Sequence, residues 1–163
     1  MLCADAPPTT PAYDLLLLAH VLIAVITAVI LLTSLGAATA ARAAQAGGAW
    51  PSSTRRYFTP GPELAGRVLY LLPLTGAGLI GMSKGSIAFG DTFVWVGLVL
   101  WLLLAGVAEH FVFASGRQLR QVVAFDVVPD DDSWRTAAAK LRVGVEIVIV
   151  LLFVVATVML VQP

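Results

Sequence analysis

Residues 15–35 contain no Lys, Arg, Asp or Glu. Backbone N–H and C=O groups in hydrocarbon have no water to bond, so only helices, which satisfy them internally, or closed barrels can cross a bilayer. Three more apolar stretches follow at 66–82, 93–113 and 143–161. Each approaches the ~20 residues a helix needs to span the membrane core. Barrel strands would show segments of about ten residues with alternating polarity. The run Ile147-Val148-Ile149-Val150-Leu151-Leu152-Phe153 does not alternate. The pattern predicts an all-α membrane protein: four transmembrane helices in an antiparallel bundle, forming a single integral membrane domain over residues 1–163.

Composition excludes the other classes. The chain is 59% hydrophobic and 12% charged, with a mean hydropathy of +0.90. Soluble domains average about 45–50% apolar and about 25% charged, and disordered chains are more polar still. Ten Lys and Arg balance ten Asp and Glu, so no basic excess supports nucleic-acid binding. Cys3 is the only cysteine, which rules out an internal disulfide and reads as an idle thiol. Small residues at 36–40 resemble a signal-peptide cleavage site. The upstream flank, however, carries Asp5, Asp14 and no cation, and the apolar run exceeds the ~7–15 residues of a cleavable segment. A retained span is expected.

Cation placement predicts orientation. Of the ten Lys and Arg, only Lys84 lies between the second and third spans, and neither terminal segment has one. Arg42, Arg55, Arg56, Arg67, Arg117, Arg120, Arg135, Lys140 and Arg142 all fall in or beside the other two connections. The positive-inside rule then places both termini outside and both long loops in the cytoplasm. Helices 1, 3 and 4 are expected to extend into the cytoplasm. The first runs through its Ala-rich tail to Gly47 and Gly48, and the third to about Val123. The fourth starts at an N-cap within residues 130–133. Residues 51–54 read as loop and 60–62 as a turn.

Small residues at four-residue spacing let membrane helices approach closely. Ala77, Gly81 and Gly85 follow that register in the second span, with Gly76 beside them, and predict a packing stripe. Pro73 lacks a backbone donor and predicts a mid-span kink. The short connection after Met82 predicts that spans two and three are neighbours.

Ionisable groups inside a membrane are costly and become site candidates. His20 lies about 9 Å inside the first span at 1.5 Å per residue, and its imidazole suits a metal, a proton relay or a helix–helix hydrogen bond. Glu109 and His110 occupy the inner end of the third span. Glu146 has Arg142 four residues before it, and Arg67 lies at the same level on span two. These five read as a salt-bridged interfacial ring, with an ion or proton relay as the alternative. His110 sits about 16 Å deeper than His20, so no single metal or haem joins both within one chain. No phosphate-binding loop, zinc-protease motif or activated serine is present, and no enzymatic activity is expected.

The stretch LLLLAHVLIA containing His20, the LTGAGL of span two and the closing VVATVMLVQP together resemble a family of small four-helical bacterial integral membrane proteins. That family is itself loosely similar to copper-resistance-D-like membrane proteins. The resemblance covers essentially the whole chain and implies a bacterial plasma-membrane location. It also implies roles for His20, Thr75, Gly76, Met159 and Pro163, although Gln162 stands where the pattern expects a basic residue. The family lends no activity. The leading expectation is a non-enzymatic accessory, scaffold or lipid/partner-binding component, associated with the lipid bilayer and with other membrane subunits or further copies of itself. The alternatives are a redox protein holding haem b or copper on His20, and a proton- or ion-coupled transporter using Glu109 and Glu146.

Overall fold

The computed structural model describes residues 10–59, 67–125 and 127–160. Cys3, the expected turn at 60–62, the start of span two at Gly66 and residues 161–163 lie outside them. The described chain is helical throughout, in the order α1 (Pro11–Arg42), α2 (Ser52–Tyr57), α3 (Val68–Met82), α4 (Thr92–Val123) and α5 (Ser133–Leu160). Helices α1, α4 and α5 are long and apolar enough to cross a membrane, and α3 is apolar but shorter.

Local chemistry sets the helix ends. The Thr10 hydroxyl accepts the Tyr13 N–H at 3.3 Å, Pro11 opens the first turn and Asp14 adds negative charge there, all favourable at a helix N-terminus. Helix α1 stops at Arg42, short of the two glycines. Asp131 accepts from both the hydroxyl and the amide of Ser133 at the start of α5. Those bonds hold its carboxyl below the usual carboxylate range. Residues 52–54, expected as loop, belong to α2. Pro51 stands directly before its first turn, where a missing N–H costs nothing.

Helix α5 is the spine. It packs against α1 on one side and α4 on the other, while α3 lies on α1. Its buried face is Trp134, Ala137, Ala138, Leu141, Gly144, Val145 and Val148, the spacing of a single helical stripe. Opposite this stripe, α4 changes to π-helix over Ala108–Phe113. A β-carbon on Gly144 would collide with the Phe111 Cβ and lie 3.3 Å from both the Phe111 carbonyl carbon and Val112 Cγ2. The glycine is what admits α4 this closely.

The connections 43–51 and 124–132 clasp each other. Gly47, at φ 72°, donates its N–H to Val128 O (3.0 Å), and Val128 N–H donates to Gly48 O (2.9 Å). Trp50 packs edge-on against Trp134 at 5.3 Å, and Trp134 Nε1 donates to Pro129 O. Phe58, Leu119, Val128 and Leu141 are buried at this proximal end. The distal end is sparse. Nothing in α1 before Thr27 is buried except Tyr13, and nothing in α5 beyond Val148 is buried.

The packing expectations are met only in part: α3 does meet α4, through Tyr70, but not by close backbone packing. Helix α3 takes α1, not α4, as its close backbone neighbour, because Gly76 and Gly78 turn a flat face to His20 and Leu16 of α1. Ala77 and Gly81 point away and are exposed, with nothing within 4 Å of a β-carbon on Gly81. Gly85 lies past the helix end in a turn at φ 92°, after the Ser83 hydroxyl has bonded the Ile80 carbonyl. Pro73 does not interrupt α3. The helix continues through it, 3₁₀ over Val68–Tyr70 and α-helical from Leu71, so the change of winding lies in the turn before the residue that lacks a donor.

Gly144→Ala is expected to destabilise the protein by about 1–3 kcal/mol through overpacking, read as a lower thermal midpoint in detergent. Gly81→Ala should be neutral or stabilising, because alanine is the better helix former by up to about 1 kcal/mol and the space is open. Equal effects from the two variants would contradict this account of the α4–α5 contact.

Candidate functional site

Helix α3 is bound by polar contacts on two of its sides. On the α1 side, His20 Nδ1 lies 2.7 Å from the Thr75 hydroxyl. That hydroxyl is 3.0 Å from both Leu71 O and Leu72 O. Its single hydrogen goes to these carbonyls, so the oxygen accepts from His20 and the proton belongs on Nδ1. In the neutral ring that leaves the lone pair on Nε2. Gly76 completes the arrangement: the His20 ring lies 3.7 Å from where its β-carbon would be. Residues 20, 75 and 76, drawn from separate parts of the chain, thus meet at one place.

On the α4 side, the Tyr70 hydroxyl donates to Glu109 Oε1 at 2.5 Å, and the Tyr70 ring meets Trp101 edge-on at 6.0 Å. A small polar cleft of about 30 Å³ beside this pair is lined by Arg67, Glu109, Phe113 and Arg117. Glu109, Phe113 and Arg117 are spaced four apart along α4, one face of the helix. Phe113 also borders a larger cavity of about 90 Å³ whose wall includes Leu69, Val112 and Leu141, with Thr27, Ser34, Tyr57 and Arg120 contributing polar groups. The Ser34 hydroxyl donates to Ile30 O and is hydrogen-bonded to the Tyr57 hydroxyl.

The remaining candidates separate. His110 is exposed, with its ring edge-on to Phe111 at 4.9 Å. Glu146 pairs with Arg142 at 2.8 Å on α5, both side chains nearly half exposed. The carboxylates named for a relay therefore belong to two different pairs: Glu109 with Tyr70, and Glu146 with Arg142. Sequence reasoning missed Tyr70, Tyr57, Phe113 and Arg117 as contributors, because their role depends on which helices meet.

Fitness for a cofactor is limited. Among the described residues no group of three or more His, Cys, Asp or Glu comes together. His20 supplies one imidazole, and its neighbour is a hydroxyl already committed to backbone carbonyls. One nitrogen does not make a copper site of the usual imidazole or sulfur donors, and it gives haem b a single axial ligand. Among the described residues of one chain no copper donor set is assembled, whereas haem b would have His20 as one axial ligand and an open sixth position.

The imidazole tautomer is directly testable. Nitrogen-15 NMR should show His20 protonated on Nδ1 and bare on Nε2. Thr75→Val should abolish that preference and cost about 0.6–1.7 kcal/mol, the range of interhelical hydrogen bonds in membranes. An Nε2-protonated ring in the unmodified protein would refute the assignment. No protein-family model, curated protein or solved structure matches this chain.

Proposed function

We propose that the chain is a multi-pass protein of the bacterial plasma membrane that works by binding: an accessory or scaffold component holding a membrane partner, including a second copy of itself. The observation that carries this reading is the packing gradient. The proximal end is a tight, indole-rich core, whereas the distal halves of α1 and α5 leave large apolar side chains uncovered. Leu18 is 55% exposed, Val25 53%, Val150 61% and Phe153 74%. Patches this extensive on a single chain mark lipid or protein contact.

In this reading α3 is the fourth crossing. Its described part, Val68–Met82, is apolar but shorter than the other three crossing helices. The cation asymmetry places the clasped loops in the cytoplasm and both termini outside. The similarity to small four-helical membrane proteins and, more loosely, to copper-resistance-D-like proteins supports the same membrane role without adding an activity. A reporter fused after Pro163 should be found outside the cell; an interior reporter would reverse the assigned faces.

Photo-crosslinking side chains at Val25 and Phe153, introduced in the full chain in its host membrane, should yield higher-mass species containing a second protein or a second copy. A monomer crosslinked to lipid alone at both positions would overturn the scaffold reading. Haem b or copper binding at His20 is the second reading, favoured by an imidazole whose Nδ1 is held by Thr75; copper would need further donors, and haem a non-His sixth ligand, a vacant position or a second subunit. Such a protein is coloured or metal-bearing when purified and loses that property in His20→Ala. A colourless, metal-free preparation from the host membrane excludes it.

A further inference from the structure

We propose that the seam between α3 and α4 is a binding site for an anionic phospholipid, with its phosphate at Arg67 and the adjoining part of the lipid lying over Phe113. This deepens the reading of the chain as a membrane-embedded binding protein and rests on it. The seam differs from the other helix contacts. Helices α3 and α4 meet through long side chains rather than close backbones, which leaves the cleft lined by Arg67, Glu109, Phe113 and Arg117.

Charge and donor geometry fit a phosphate. Glu109 is already bonded to Tyr70, and the cleft presents two guanidinium groups against that one carboxylate. Guanidinium forks bind phosphate oxygens in pairs. Arg117 has an interaction of its own as well, so binding turns on Arg67. The lipid is distinguished from a free phosphate by what lies beside the charges. Phe113 forms a wall of both the polar cleft and the larger, mainly apolar cavity that reaches Leu69 and Val112. A ligand with a charged head and an apolar continuation matches both compartments, whereas inorganic phosphate matches only one. Basic clusters at the cytoplasmic surface are where anionic lipids concentrate.

The test uses the full chain in phosphatidylcholine nanodiscs containing a minority of phosphatidylglycerol, with lipid retention read by native mass spectrometry after transfer to detergent. Wild-type protein should retain phosphatidylglycerol over phosphatidylcholine. Arg67→Gln should reduce that preference about fivefold, the effect of about one cation at a membrane surface. Arg67→Lys, which keeps the charge, should retain most of it. Arg142→Gln removes a cation paired elsewhere and should leave the preference unchanged. Helicity by circular dichroism confirms that each variant is folded. Equal retention in wild type and folded Arg67→Gln overturns the site. So does an equal loss in Arg142→Gln, which would mean only diffuse attraction. Displacement of the lipid by inorganic phosphate overturns the lipid and identifies a free-anion site. Crosslinks from Val25 and Phe153 that persist in Arg67→Gln separate failure of this site from failure of the scaffold reading.

Discussion

The approach of α4 to Gly144 is the contact around which the other helices are arranged. Lipid tails are as apolar as leucine, so nothing squeezes helices together inside a bilayer, and close association depends on small residues that allow backbones to touch. Gly144 removes the one atom that would hold Phe111 away, and Ala137 and Ala138 continue the same narrow stripe about two turns earlier. The facing part of α4 is wound as π-helix, a form that occurs mainly in single turns and often near functional sites. One additional residue per turn shifts the following side chains around the axis by about 100° relative to an undisturbed helix. Residues 109, 113 and 117 line the α3 side while Ala108 and Val112 stay in the core.

The two ends of the molecule are held by different physics. At the proximal end the connecting segments pair through Gly47, Gly48 and Val128, and Trp50 and Trp134 are almost wholly buried. Burial of indole rings is favourable where the competing medium is water. Farther along the helices the competing medium is hydrocarbon, so faces bearing Val25 or Phe153 stay bare without penalty and are available to lipid or to a membrane partner. A dense core near the clasped loops and bare apolar faces beyond it is what a membrane-embedded chain should show. The same gradient in a water-soluble protein would leave an aggregation-prone surface.

The long helices were legible because their signal is one-dimensional: uncharged stretches of sufficient length bounded by caps. Helix α4 ends at Val123 and α5 begins at the acidic cap, as the pattern predicts. What depends on three dimensions was not legible. Four-residue spacing of small residues in α3 allows more than one stripe, and only the positions of Leu16 and His20 show that Gly76 and Gly78, rather than Ala77 and Gly81, form the contact. Helix α2 was hidden because six residues carry no periodic pattern, although Pro51 marks its start. The π-helical stretch carries no periodic signal that sets it apart from the α-helix around it. His20, Thr75 and Gly76 could be named from a resemblance, but their hydrogen bond required the fold.

Helix α3 is the element whose placement owes most to polar contacts. Few of its residues are buried: Leu69, Leu72 and Leu79. Tyr70 and Thr75 are five residues apart, hence about 140° around the axis. One reaches Glu109 on α4 and the other His20 on α1. Two hydrogen bonds at different heights and on different sides restrain both the rotation and the tilt of a helix that packing alone leaves underdetermined. Turning α3 would separate both pairs, leaving a hydroxyl or imidazole without its partner at a cost that rises where water is scarce. The polar groups that look like candidate chemistry therefore have a mechanical consequence first. They fix how α3 lies against its neighbours, with Arg67, Phe113 and Arg117 lining the cleft beside the Tyr70–Glu109 pair.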